Sequence, residues 1–137
     1  MLQRDYLTEM VRRFANVLAR RLRAALLDTD PEAIKDLEDA VGSLLDLDGV
    51  TAMSLDPSSL VTMMELSGVA DSLASYANYA LRRIADAYDA QGQPALAQTR
   101  RVQADAVCTS FLCEPSFVPA ELAELDASLG ERQHGRR

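Results

Sequence analysis

Two cysteines, one histidine and a group of aspartates are the first residues to test for chemistry. Cys108 and Cys113 lie five apart inside a predicted helix. On a continuous helix that spacing turns them to different sides, too far apart for a disulfide, whose Cβ atoms must approach within about 4.5 Å. The spacing matches no zinc motif, and the single histidine, His134, cannot supply the missing ligands. Buried free thiols in a reducing cytoplasm are therefore expected. Asp46, Asp48 and Asp56 invite a calcium loop, but Gly49 is out of place and the closing bidentate Glu is missing. These acids read as solvated loop residues. No nucleophile has a histidine beside it, and there is no glycine-rich phosphate loop. Carboxylate pairs fall on polar helix faces, where burial would not raise a pKa for acid–base work. The expectation is a non-enzyme with no metal and no cofactor.

The elements that would position any site are helices. Apolar residues make up 48% of the chain and aromatics only 5%, so the core must be aliphatic. Leu and Ala dominate while β-branched residues are sparse, the set with high helix propensity and without strand alternation. A first helix is expected from about Gln3 to Leu27, with Leu7, Met10, Phe14, Leu18, Leu22 and Leu26 forming one stripe. Asp30-Pro31 and Asp56-Pro57 both read as an N-cap followed by proline at the first helical position. They start helices over Pro31–Leu47 and from Pro57 to near Ser67-Gly68, with an irregular stretch from Asp46 to Leu55 between them. A fourth helix is expected over Val69–Gln91 and a fifth over Pro94–Cys113, divided by the Gly92-Gln93-Pro94 stop and start. A last short helix begins near Pro119. The fold class is thus all-α, antiparallel hairpins of about five to six helices, in one domain over 1–130, with a disordered tail over 131–137.

Asn78 to Ser110 resembles one tetratricopeptide (TPR)-type hairpin. With Asn78 as the first position, Leu81, Ile84, Ala85, Tyr88, Gly92, Ala97 and Ala104 match the expected residue types. Arg101 stands where a bulky aromatic is usual, and the final proline is displaced to Pro115. The resemblance implies a concave face on the first helix of the pair carrying Tyr79, Arg82, Asp86 and Asp89, spaced 3, 4 and 3. Such a set can clamp a peptide by hydrogen bonds and charge. Its plainer alternative is a solvated face with a local Arg82–Asp86 pair. The chain as a whole resembles a family of small uncharacterised bacterial proteins that open with an Asp-Tyr-aliphatic step, here Asp5-Tyr6-Leu7, and end in a TPR-like hairpin. That family implies no activity.

Charge narrows the partners. The net charge of -7 argues against nucleic acid, which needs a basic surface. Residues 1–27 hold six Arg against Asp5 and Glu9, whereas residues 28–71 hold eleven acids against Lys35. The simplest expectation is that the basic first helix pairs with the acidic segment after it. A basic amphipathic helix on a lipid surface, or a homodimer through an apolar face on the first helix or near Met63–Met64, are the rivals. No apolar run approaches the roughly 20 residues that span a membrane, and residues 1–27 lack the apolar centre of a signal peptide. The leading expectation is a cytoplasmic, non-catalytic module that binds a protein or peptide.

Overall fold

Asp30, Asp48 and Asp56 each start a helix. The computed structural model describes the backbone of residues 2–69 and 71–135 and the side chains of residues 6–69 and 71–130. Asp30 opens α2 (Pro31–Ser43) by accepting from the Glu32 N–H at 3.0 Å. Asp48 opens α3 (Gly49–Met53) by accepting from the Thr51 N–H at 3.1 Å and its hydroxyl at 2.6 Å. Asp56 opens α4 (Pro57–Leu66) through the Ser59 hydroxyl at 2.6 Å, the Ser58 hydroxyl at 2.7 Å and the Ser59 N–H at 3.3 Å. Each cap satisfies an amide that the first helical turn leaves without a partner. The Ser59 hydroxyl, followed by that of Ser58, holds the Asp56 carboxyl down at about 2. Two of the acids read as solvated loop residues, Asp48 and Asp56, are therefore exposed but structural.

Before them runs α1 (Leu2–Leu27), and after them α5 (Asp71–Ala90), α6 (Pro94–Phe111), a 3₁₀ turn over Ala120–Leu122 and α7 (Ala123–Gly135). No strand occurs among the described residues, and the fold is all-α. Among the described residues there are seven α-helices where five to six were expected, because the stretch taken as irregular contains α3. Gly49 lets that stretch close on α2. A Cβ there would stand 2.8 Å from the Asp39 amide nitrogen, and the Gly49 N–H donates to Asp39 Oδ1 at 2.9 Å. The tail expected from residue 131 and the Asp5 and His134 side chains lie outside the described side chains.

Four helices end in the same way. After α2, α4, α5 and α6 one residue takes a left-handed conformation: Asp46 (φ 56), Gly68 (φ 70), Gly92 (φ 78) and Leu112 (φ 56). The next amide then bonds back five residues: Leu47 to Gly42 O, Val69 to Met64 O, Gln93 to Tyr88 O and Cys113 to Cys108 O, at 2.8–3.2 Å. This reversal satisfies the last carbonyls of each helix. It stops α2 at Ser43, short of the expected Leu47, and stops α6 at Phe111, before Cys113. The two cysteines thus do not share a continuous helix, contrary to the spacing argument, and the Sγ atoms are 2.8 Å apart as free thiols. Glycine adopts this conformation freely, aspartate tolerates it, and leucine resists it by about 1–2 kcal/mol.

The core is assembled around α5, which packs most extensively on α6 and also meets α1 and α2. Ala77, Ala80, Ala85, Ala97 and Ala104 are fully buried, which lets α5 and α6 approach closely. Leu18 and Leu22 of α1, Leu37 of α2, Leu60 and Met64 of α4, and Leu129 of α7 close around them. Each such side chain contributes about 1.5–3 kcal/mol. Inside this aliphatic core lies a polar knot. Arg100 of α6 donates to Glu38 Oε2 of α2 at 3.1 Å, to the Met53 carbonyl at 3.3 Å and to Gln103 Oε1 at 2.9 Å. Gln103 returns donors to the Met53 and Leu55 carbonyls at 3.2 and 3.0 Å, and the Tyr88 hydroxyl donates to Glu38 at 2.8 Å. Arg100 also stacks over the Tyr88 ring at 5.9 Å.

Two outcomes follow from this packing. Arg100→Ala should cost about 3 kcal/mol in urea unfolding, because it strands the Glu38 carboxylate and the Met53 carbonyl. Adding Glu38→Gln should recover part of that loss, and no recovery would rule out the pairing as its source. Leu112→Gly should raise stability by about 0.5–1 kcal/mol, since Leu112 is 91% exposed and gives up no packing. A lowered urea midpoint would mean that the left-handed turn is not strained.

Candidate functional site

The face expected on α5 is built from four side chains whose neighbours are now fixed. Tyr79 is only 4% exposed, and its hydroxyl donates to Asp126 Oδ1 of α7 at 2.6 Å. Burial first, and then Asp126, raises its pKa. Asp126 is held in turn by Arg83 through Nε at 3.1 Å and through Nη2. Arg83 also reaches Asp86 at 3.3 Å, and Arg101 of α6 reaches Asp86 at 3.0 Å and Asp89 at 2.6 Å. Tyr79, Asp86 and Asp89 therefore belong to a chain of charges stitching α7, α5 and α6 together. Arg82 does not pair with Asp86. It donates to Asn78 Oδ1 at 2.8 Å and to Asp105 of α6 at 2.8 Å.

This arrangement explains a mismatch in the sequence pattern. Arg101, where a TPR hairpin carries an aromatic, spans the α5–α6 crossing by two ion pairs instead of by stacking. Asn78, fully buried, donates to the Glu114 and Pro115 carbonyls at 3.3 and 3.4 Å and so ties down the chain leaving α6. That segment places Phe117 against Tyr76, whose ring meets Phe14 of α1. The Tyr76 hydroxyl donates to Glu121 at 2.6 Å, and burial followed by Glu121 pushes it up to about 12. The fourfold set of Tyr79, Arg82, Asp86 and Asp89 is thus brought onto one helix as the spacing implies. Its hydrogen-bonding capacity is engaged within the chain.

Open apolar surface lies elsewhere. At the N-terminal end of α1 a cleft of about 720 Å³ is lined by Tyr6, Met10, Leu44, Leu66, Val69 and Leu73. A smaller hollow of about 290 Å³ adjoins it and shares Tyr6, Met10, Leu44 and Asp46, with Phe14 and Val17 at its floor. Tyr6 is 68% and Leu66 77% exposed, so two large side chains stand on the rim with most of their surface in water. Met10, on the stripe expected for α1, is half-buried and Leu44 is 6% exposed, whereas Leu66 stands out in water. The irregular turn from Ser43 to Asp46 and the left-handed stop at Gly68 are what separate the α2 and α4 ends and leave the gap.

Around the rest of α1 the stripe is filled. Phe14, Leu18 and Leu22 are at most 3% exposed. Its arginines are engaged in part as expected: Arg21 Nε lies 2.9 Å from Asp36 and Nη2 3.6 Å from Asp30. The first contact is one of charge, since Nε is not aligned for a hydrogen bond. Arg12 and Arg13 pair with Glu9 on α1 itself. No group of three His, Cys, Asp or Glu side chains able to hold a metal ion occurs among the described residues. No helix among them is long and apolar enough to cross a membrane.

Comparisons with family models, with curated proteins and with solved structures find no match to this chain. What the chain does must be argued from its own surfaces.

If Tyr79 is a clasp for α7, Tyr79→Phe should cost about 1 kcal/mol through the lost bond to Asp126. Asp89→Ala removes a half-exposed pair and should change stability by less than about 0.5 kcal/mol. In a double-mutant cycle, Tyr79→Phe and Asp126→Ala should be strongly non-additive. Additive losses would show that the clasp is not formed in solution.

Proposed function

We propose that this protein is a non-catalytic interaction module that docks the apolar face of a basic amphipathic helix in the cleft beside α1. The observation that carries this is the pair of exposed anchors, Tyr6 and Leu66, on the rim of a preformed cleft whose lining is part apolar and part polar, with Ser43, Asp46 and Ser67 among its residues. Docking a helix into such a groove buries apolar anchors at i, i+3, i+4 and i+7. Aromatic and large aliphatic rim residues are the kind that dominate binding energy when they become covered. The charge of the partner follows from the surroundings. Asp46 lines both hollows and Glu65 is exposed next to Leu66, while Arg13, which lines the smaller hollow, is paired with Glu9. Lys or Arg beside the apolar anchors would be steered to this end of the molecule.

The resemblance to the small bacterial family supports this placement to one residue's extent, because Tyr6 of the Asp-Tyr-aliphatic step stands on the cleft rim. A cytoplasmic site of action goes with this proposal. The set Tyr79, Arg82, Asp86 and Asp89 is the alternative docking face, and it would require α7 to leave α5.

A fluorescent 18-residue helical peptide of Leu and Lys, with Leu on one face, is the direct probe. Its anisotropy should rise with the intact protein, and Leu66→Asp together with Tyr6→Ala should weaken binding at least about tenfold. Arg82→Ala should leave it unchanged. No binding, or equal binding by the rim variant, would overturn the cleft assignment. Light scattering supplies the competing outcome: a mass of twice 15.0 kDa that falls to 15.0 kDa in the rim variant would give the cleft to a second copy of the chain.

A further inference from the structure

Cys108 and Cys113 occupy the two positions that the reversal after α6 brings face to face. Leu112 takes the left-handed conformation, and the Cys113 N–H then bonds to the Cys108 carbonyl at 3.2 Å. In this turn the residue four before the left-handed one and the residue just after it come into contact. At the other three reversals those pairs are Gly42 with Leu47, Met64 with Val69, and Tyr88 with Gln93. Here both are thiols, with Sγ atoms 2.8 Å apart, inside the sum of their van der Waals radii. A disulfide needs a separation of about 2.05 Å, so closure requires the sulfurs to move by less than about 1 Å.

We propose that Cys108 and Cys113 are a redox-active dithiol that closes to an intrachain disulfide by exchange with a small-molecule disulfide and reopens with a thiol reductant. Access sets the order of events. Cys108 is buried, Cys113 is half-buried, and Leu112, Glu114, Pro115 and Ser116 around it are exposed. The Cys113 thiolate attacks one sulfur of the oxidant, forming a mixed disulfide and expelling one thiolate, which takes up the proton that Cys113 gave. Cys108 then attacks the Cys113 sulfur, expels the second thiolate and closes the ring. Two thiols of the protein lose two electrons and two protons, and the oxidant disulfide gains both as two thiols. Burial, and then the facing Cys108, pushes the Cys113 thiol up to about 12. The exchange is therefore slow at neutral pH and speeds up as pH rises, because the thiolate is the nucleophile.

Closure would fix the start of the segment that Asn78 grips and that leads through Phe117 to α7. The bond thus locks the exit of α6 without entering the cleft beside α1, and stands or falls apart from the docking function.

The test is a glutathione titration of the folded, full-length protein, quenched in acid and alkylated. As oxidised glutathione rises, the mass should fall by two hydrogens and both cysteines should escape alkylation together. Cys108→Ser should instead collect one glutathione on Cys113. The ratio of reduced to oxidised glutathione at half-closure should favour the disulfide at least about tenfold more in native buffer than in urea, because the turn raises the effective concentration of one thiol at the other. Equal ratios in the two solvents, a persistent glutathione adduct on the wild type, or a disulfide between chains on a non-reducing gel would each overturn the proposal.

Discussion

The contact on which the rest depends is the buried pair of Arg100 and Glu38. A guanidinium 6% exposed inside a core of Leu and Ala costs several kcal/mol unless every donor finds a partner. Here the partners come from three places in the chain: Glu38 on α2, Gln103 on α6, and the Met53 carbonyl at the end of α3. An aliphatic core tolerates many arrangements of similar helices, and this knot accepts one. It fixes how α2 and the α3–α4 connection sit on α6, and through Tyr88 it fixes α5 as well. The short α3 is part of the same solution. It exists to present the Met53 and Leu55 carbonyls to α6, and its start at Gly49 lies too close to α2 for any side chain.

A second, wetter network does for α7 what the first does for α2. Tyr79, Arg83 and Asp126 hold α7 on α5, while Asp86, Arg101 and Asp89 continue the chain of charges onto α6. Tyr79 is buried, but the charged groups of this network are more exposed than the Arg100–Glu38 pair, so water and salt screen them and each ion pair is worth less. The order of strength predicts an order of opening. The α1–α6 body holds together by burial and the Arg100 pair, and α7 with the segment before it is the part most readily released.

Much of this architecture was legible in the sequence, and the gaps have physical causes. Asp30-Pro31, Asp56-Pro57 and Gly92-Gln93-Pro94 marked helix boundaries because caps and stops act locally. The end of α6 was missed because leucine is a poor choice for the left-handed position, so Leu112 gave no signal, and the thiol contact vanished with it. Arg100 was legible in principle. Ala97, Arg100, Ala104 and Val107 fall on one stripe, and an arginine on such a stripe must have a buried partner. The identity of that partner, 62 residues away, was not legible, because nothing local to Glu38 distinguishes it from the acids around it. The cleft was invisible for the opposite reason. Met10 has the spacing of a core residue and is half-buried, and nothing local marks Leu66, 77% exposed at the end of α4, as uncovered.

The two networks also bear on where the proposed partner would bind. A hairpin such as α5–α6 offers a polar face only if its side chains are free to turn outward. Tyr79, Arg82, Asp86 and Asp89 are each already bonded to α6 or α7, so a peptide would have to replace bonds of equal quality while displacing a helix. An incoming group gains little by such an exchange, since one set of hydrogen bonds is traded for another. The cleft beside α1 asks for no exchange. Tyr6 and Leu66 are hydrated in the free protein, and covering them releases that water at about 25 cal/mol per Å² of apolar surface. On the proposed reading this difference is what favours the cleft, even though the α5 face carries the richer chemistry. A chain can bond its most recognisable polar residues to itself and leave an unremarkable apolar gap as the place where another molecule fits.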